Sequence, residues 1–323
     1  MDLGRMLDKC SRDQWSIDDL DWSIPPPTMP RDKEEAVCQY FTDMAGIELL
    51  AGALFDVQRK VTKDPTLRKI FSTFVADEKR HSAVAARLAS HYDVHHYRAY
   101  QQSESLGQFR PHFMALVENT SPEIANAYIT AGELILDVAL LRSLDDYVAD
   151  DMSHAAMHLI NRDESRHIAI DFYMTETYCS DAYLAEIKLR PRPTVRQMAA
   201  GVRALATMMW HAKPFLQQVF LAPMDRTDPS GRRVQEAFKR IQLVLHKPSV
   251  ARTPFSRFMI GALAAYNHPV IGRVLGRFLL RALGADPRAA KILFTQAELV
   301  RSQQMSFDEL AEEALGLKFA SEL

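Results

Sequence analysis

The pentapeptide Asp77-Glu78-Lys79-Arg80-His81 recurs as Asp163-Glu164-Ser165-Arg166-His167, an internal repeat of the form D-E-x-R-H. Glu and His stand three apart in each copy, so on a helix both side chains leave the same face about one turn apart. Upstream of each copy lies a lone glutamate in an otherwise apolar stretch, Glu48 in the segment 46–52 and Glu133 in the segment 131–136. An isolated charge in such a setting is expensive unless something compensates it.

The surrounding sequence is helical in period. From Arg31 onward glycines are few and β-branched alternating runs are almost absent, which makes the chain all-α. Pro30 precedes a segment running to about Val61. Asp64-Pro65, an N-cap followed by Pro at the first helical position, opens a helix that reaches about Tyr92. Ser121-Pro122-Glu123 repeats that signature for a third helix to about Leu144, and a fourth runs from about Asp150 to Tyr178. Residues from His95 to about Asn119 form a connection with one short helix. Two helical hairpins joined by a longer crossover have the connectivity of ferritin-like four-helix bundles. Residues 1–30, with Trp15, Trp22 and Pro25-Pro26-Pro27, read as an extended structural arm. Residues 31–184 read as the bundle and 185–323 as a basic helical extension packed on it.

Distances along the hairpins bring the repeat and the lone glutamates to one level. With Lys63 as the first tip, Glu48 and Glu78 each lie 15 residues away, roughly 22 Å at about 1.5 Å per residue. With a second tip near Tyr147–Ala149, Glu133 and Glu164 are level as well. Four carboxylates and two imidazoles therefore share one layer. Uncompensated, they would neutralise by protonation; two divalent metals supply the missing positive charge. Oxygen-rich ligands with one imidazole per ion suit iron or manganese better than structural zinc. One Glu from each of two helices and Glu-x-x-His from each of the other two is the ligand pattern of ferritin-like dimetal proteins. The competing account is a set of buried ion pairs with Arg80 and Arg166.

On these residues the chain resembles the non-haem diiron oxygenases and oxidases of the ferritin-like superfamily, over roughly residues 40–180. The doubled string is similar to that of bacterial multicomponent monooxygenase hydroxylases. The segment around Arg162–Ile168 also resembles aminobenzoate N-oxygenases and the ligand-binding oxidases related to the ribonucleotide reductase small subunit. The resemblance implies metal ligation by Glu48, Glu78, His81, Glu133, Glu164 and His167. It further implies that Asp77 and Asp163 each serve the histidine of the opposite hairpin, with Arg80 and Arg166 balancing charge. Two iron ions, or a Mn/Fe pair, would be the cofactor and O2 the co-substrate. The activity implied is that of a monooxygenase hydroxylating or N-oxygenating a small organic substrate, with electrons from a ferredoxin or reductase. A desaturase or ligand oxidase acting on a free or carrier-bound fatty acyl chain is the neighbouring reading, and a ferroxidase or metal-storage protein the rival one.

Around the ligands, Ala45, Ala51 and Gly52 on the Glu48 face leave room for a substrate cavity or serve close helix packing equally well. Asp137, one turn past Glu133, stands where related monooxygenases place a threonine that manages protons. It reads as a proton relay or substrate anchor, or as a polar residue at the bundle edge. Asp171, one turn past His167, has the same two readings. Tyr128 reads as a core tyrosine. Ala85 and Ile160 stand where some relatives carry a radical tyrosine and an additional ligand histidine. His154, His158, His95 and His96 read as surface residues.

Charge is divided unevenly. Residues 1–187 hold 18 Lys+Arg and 31 Asp+Glu, and residues 188–288 hold 18 and 4. Arg273, Arg277 and Arg281 make a cationic stripe on an amphipathic helix, suited to an acidic carrier protein, an electron-transfer partner or an anionic surface. The blander account is that this half packs on the acidic half, within the chain or across a homodimer. No aromatic-basic interleaving points to nucleic acid. Three widely spaced cysteines suggest neither a disulfide framework nor a zinc ribbon, and fit a reducing cytoplasm. The run Phe258–Tyr266 is too short to span a bilayer, so no transmembrane segment is expected.

Overall fold

The computed structural model describes residues 1–191, 194–282 and 286–318. The helices are α1 (Leu3–Arg12), α2 (Arg31–Val61), α3 (Pro65–Tyr92), α4 (Glu104–Asn119), α5 (Pro122–Ile135), α6 (Arg142–Val148), α7 (Asp151–Tyr178), α8 (Asp181–Leu189) and α9 (Val195–Phe215). They continue with α10 (Ala222–Thr227), α11 (Arg232–Leu245), α12 (Pro248–Ala251), α13 (Pro254–Asn267), α14 (Ile271–Ala282), α15 (Pro287–Ala290), α16 (Gln296–Gln304) and α17 (Phe307–Lys318). Among the described residues there is no strand, and the protein is all-α.

Capping chemistry sets the hairpins. Asp64 accepts from the Leu67 amide at the start of α3, and Asp150 accepts from the Ser153 amide at the start of α7. α2 and α3 pack along their length, while α5 packs on α7 and α2, and α3 on α7. Phe41, Phe55, Phe71, Phe74 and Phe172 fill the interior between these four long stretches. α5 does not run straight into α6: Leu136–Leu141 form a π-helical turn between them. The chain reverses at Ala149, whose φ of 58° is left-handed and whose amide donates to the Asp145 carbonyl.

Three expectations change. The first thirty residues are not simply extended, because Asp2 caps a ten-residue helix, α1, that packs on α3 and α7. The connection after α3 carries a helix of 16 residues, α4, which packs on α9. The most apolar stretch is also not Phe258–Tyr266. Pro122–Val148 is long and apolar enough to cross a membrane, yet 72% of its apolar window is buried against neighbouring helices. α11 and α17 supply part of that cover. Arg192 lies outside the described residues, as do the side chains of Arg277 and Arg281, two members of the cationic stripe. Apart from the local Arg190–Glu186 contact, the ion pairs among the described residues that tie residues 188–288 to residues 1–187 are Arg233–Asp146 at 2.7 Å and Arg252–Asp181 at 2.6 Å.

Candidate metal centre

Each of the four long stretches delivers its share of the six residues to one buried layer. α2 brings Glu48, α3 brings Glu78 and His81, α5 brings Glu133, and α7 brings Glu164 and His167; all six are buried. Their side chains form two overlapping groups that could each hold a metal ion: Glu48, Glu78, His81 and Glu164 in one, Glu78, Glu133, Glu164 and His167 in the other. Within each group one potential ligand atom per residue lies within 4.8 Å of every other. Glu78 and Glu164 belong to both and stand between the two positions. His81 Nδ1 is 2.9 Å from Glu164 Oε1, and His167 Nδ1 is 3.1 Å from Glu78 Oε1 and 2.8 Å from Glu164 Oε2. Both rings thus turn Nδ1 toward the shared carboxylates.

The far nitrogens point to the aspartates of the repeat. His81 Nε2 lies 3.2 Å from Asp163 Oδ2, and His167 Nε2 lies 3.5 Å from Asp77 Oδ2, so each aspartate stands at the imidazole of the opposite hairpin. Arg80 pairs with Asp77 and lies 3.0 Å from Asp163; the fully buried Arg166 donates to Asp163 Oδ1 at 2.5 Å. Both guanidiniums are therefore spent on Asp77 and Asp163. Among the described residues the four glutamates receive no arginine, so Arg80 and Arg166 do not account for their burial.

The electrostatics follow. Burial pushes Glu48 up to about 7, with the nearby Glu164 charge adding to it. Burial likewise drives Glu78 and Glu133 well above the carboxylate range, helped by neighbouring carboxylates. Burial opposes ionisation of Glu164 too, but the two imidazoles outweigh it and hold this group well below. The same balance raises His81 to about 10 and His167 to about 9, their carboxylate partners overcoming desolvation. Among the described residues both oxygens of Glu48 and one of Glu133 are buried without a donor in hydrogen-bond geometry, and the nitrogens within reach of Glu78 and Glu164 are those of the two imidazoles. Such an orphaned oxygen-rich donor set fits cations.

Three residues of the arm enter this network, and the sequence did not announce them. Trp15 Nε1 donates to Asp163 Oδ2 at 2.7 Å, and its ring lies 6.3 Å from that of His81. Gln14 donates to Asp77 Oδ1 at 3.1 Å and accepts from Arg80 at 3.0 Å. The Asp13 carbonyl accepts from Arg162. The arm is a cap over the outer carboxylates of the centre. The available signal was a tryptophan among polar residues, which by itself specifies no partner.

The small residues near Glu48 serve packing. A Cβ on Gly52 would stand 3.0 Å from the Glu78 Cβ, and Ser82 Oγ donates to the Ala45 carbonyl at 2.8 Å. Open space lies instead on the far flank of α5. Asp137, in the π turn, is buried and close enough to Glu133 to raise it, as is Asp171. Burial pushes Asp171 itself well up, and neither of its oxygens has a hydrogen-bond partner among the described residues. Tyr128 is half-buried against the core, between Phe113 and Phe255, and also lines a cavity wall. Phe74 and Phe55 pack on the His167 ring with centroids 4.1 and 5.0 Å away. His154 and His158 are exposed, the former beside Asp145, and His95 pairs with buried Glu34. No protein-family model matches the chain, and no curated protein matches it.

Proposed function

We propose that this chain is an O2-activating non-haem diiron oxygenase of ferritin-like architecture that hydroxylates or N-oxygenates an organic substrate. The observation that carries the reading is the allocation of charge: Arg80 and Arg166 go to the aspartates, while four glutamates and two imidazoles remain in two groups sharing Glu78 and Glu164. Two divalent ions match four carboxylates, and one imidazole per ion in an oxygen-rich set favours iron, or manganese with iron. When bound, the metal pair supplies the reduction of O2 and the oxidation of substrate, with two electrons from a ferredoxin- or reductase-type donor.

The chain's own residues do the rest. Glu48 and His81 would hold one ion and Glu133 and His167 the other, with Glu78 and Glu164 within reach of both. Asp163 and Asp77 fix the imidazoles through Nε2, so that Nδ1 stays available to a metal. Phe55 and Phe74 keep water from the His167 side. Asp137 and Asp171 form an acidic flank beside Glu133, where a carboxyl oxygen can hold a proton close to the reacting centre.

The test is O2 uptake by the Fe(II)-loaded chain with a chemical reductant, with and without candidate organic substrates. Substrate-dependent uptake, with label from isotopic O2 appearing in a product, is the expected result. Substrate-independent uptake that ends in iron leaving as ferric mineral would replace the reading with a ferroxidase.

A further inference from the structure

α5, α7 and α8 on one side and α11, α12 and α13 on the other enclose a cavity of about 1030 Å³. That is at the top of the roughly 300–1,000 Å³ range of ligand pockets, large for a single aromatic ring. Its surface is mostly apolar, with Leu184, Ile241, Val244 and Phe255 facing α5. The residues α5 contributes run from Ser121, at its N-cap, to Leu134. The 13 steps between these two residues span roughly 20 Å of helix axis at about 1.5 Å per residue.

One end of this span abuts the metal layer. Leu134 directly follows Glu133, and Thr130 precedes it by one turn. Asn126, also on the wall, donates to Thr175 Oγ1 at 2.9 Å and to the Asp171 carbonyl at 3.2 Å, tying the cavity to α7 one turn past His167. Across from α5 the wall carries three cations, Lys188, Arg252 and Arg257. Arg252 is committed to Asp181 at 2.6 Å and to the Cys179 carbonyl at 2.5 Å. Lys188 and Arg257 are exposed and make no ion pair among the described residues. The other lining carboxylate, Glu123, accepts from the Tyr183 hydroxyl at 3.0 Å, so two uncommitted cations face one carboxylate.

We propose that the cavity binds an elongated apolar molecule with an anionic end, of the long-chain carboxylate class. Its tail lies along α5 toward Glu133, and its anionic end is met by Lys188 and Arg257. That this molecule is the substrate rests on the diiron reading; that it binds does not.

Binding can be read on the metal-free full chain, by displacing a dansyl-labelled long-chain fatty acid with palmitate or with hexadecanol. Palmitate should displace it with one site per chain. Ala127→Phe, which fills the cavity from α5, should weaken palmitate at least tenfold while circular dichroism and iron uptake stay as in the wild type. The exposed pair Lys188→Gln with Arg257→Gln should weaken palmitate by roughly tenfold, the loss of a charge-assisted contact, and leave hexadecanol unchanged. The proposal is overturned if a folded Ala127→Phe protein still binds palmitate as the wild type does, or if the charge pair affects both competitors alike. Palmitate binding by a chain that takes up no iron would sink the diiron reading and leave this site standing; iron uptake without palmitate binding would do the reverse.

Discussion

At the scale of single residues, the centre depends on who pairs with whom. Asp163 is the most heavily used group: it meets His81 Nε2, Trp15 Nε1, Arg80 and Arg166. Groups that orient a ligating histidine typically cost about 10–100-fold in metal affinity when removed. Trp15 orients Asp163 and not the histidine itself, so Trp15→Phe is expected at the lower end, about tenfold, with the helical fold retained; competition against a metallochromic indicator measures it. The doubled string made four of the six clustered residues and both aspartates visible, because Glu-x-x-His spacing on a helix leaves little freedom in direction, and the apolar surroundings of Glu48 and Glu133 pointed to the other two. Trp15 was not visible in that way. It reaches Asp163 across 148 positions of chain, and no periodicity links an arm to the helix it covers.

At the scale of elements, capping residues made the hairpins legible. Asp64 and Asp150 stand where α3 and α7 begin, and the tip placed near Tyr147–Ala149 is where the chain turns. Ala149 holds a left-handed conformation usually left to glycine, at some cost for a residue with a Cβ. Ala149→Gly is therefore expected to stabilise the protein by roughly 0.5–1 kcal/mol after glycine's own entropic cost, read as a raised thermal midpoint. The π turn at Leu136–Leu141 was hidden, because it is a property of the backbone path and Asp137 has no special neighbours in sequence. The small residues beside Glu48 were equally ambiguous: alanine and glycine permit both a void and a close approach, and the position of α3 decides it. π turns inside helices recur at functional sites, and this one carries the residue next to the candidate chemistry.

At the scale of the whole molecule, the metal-free protein carries its centre as a set of stored protons, which fixes the sign of its pH dependence. Glu48, near 4.5 in the unfolded chain and about 7 when folded, contributes stability that is complete below about pH 4.5 and lost as pH rises through 7. His81 and His167, near 6.5 unfolded and about 10 and 9 folded, contribute stability that is complete below about pH 6.5 and lost as pH rises through those values. The thermal midpoint of the metal-free chain should fall between about pH 6 and 9. Saturating divalent metal, which needs these ligands deprotonated, should abolish or reverse that fall. A midpoint that climbs with pH in the absence of metal would contradict this balance. The charge division seen in sequence is only partly satisfied inside the chain, since Lys188, Arg196, Arg203, Arg257 and Arg273 remain exposed. The cavity between α5 and α13 could not have been read from sequence, because it exists only where the C-terminal helices dock on α5 and α7.

The central claim is that the six residues hold two ions with two carboxylates in common. Metal content per folded chain, measured after anaerobic Fe(II) loading and desalting, tests it most directly when wild type is compared with Glu164→Ala and Glu48→Ala. Two irons per wild-type chain are expected, with loss of both in Glu164→Ala and retention of one in Glu48→Ala. No retained iron in the wild type, or equal losses from the shared and the unshared glutamate, would contradict it.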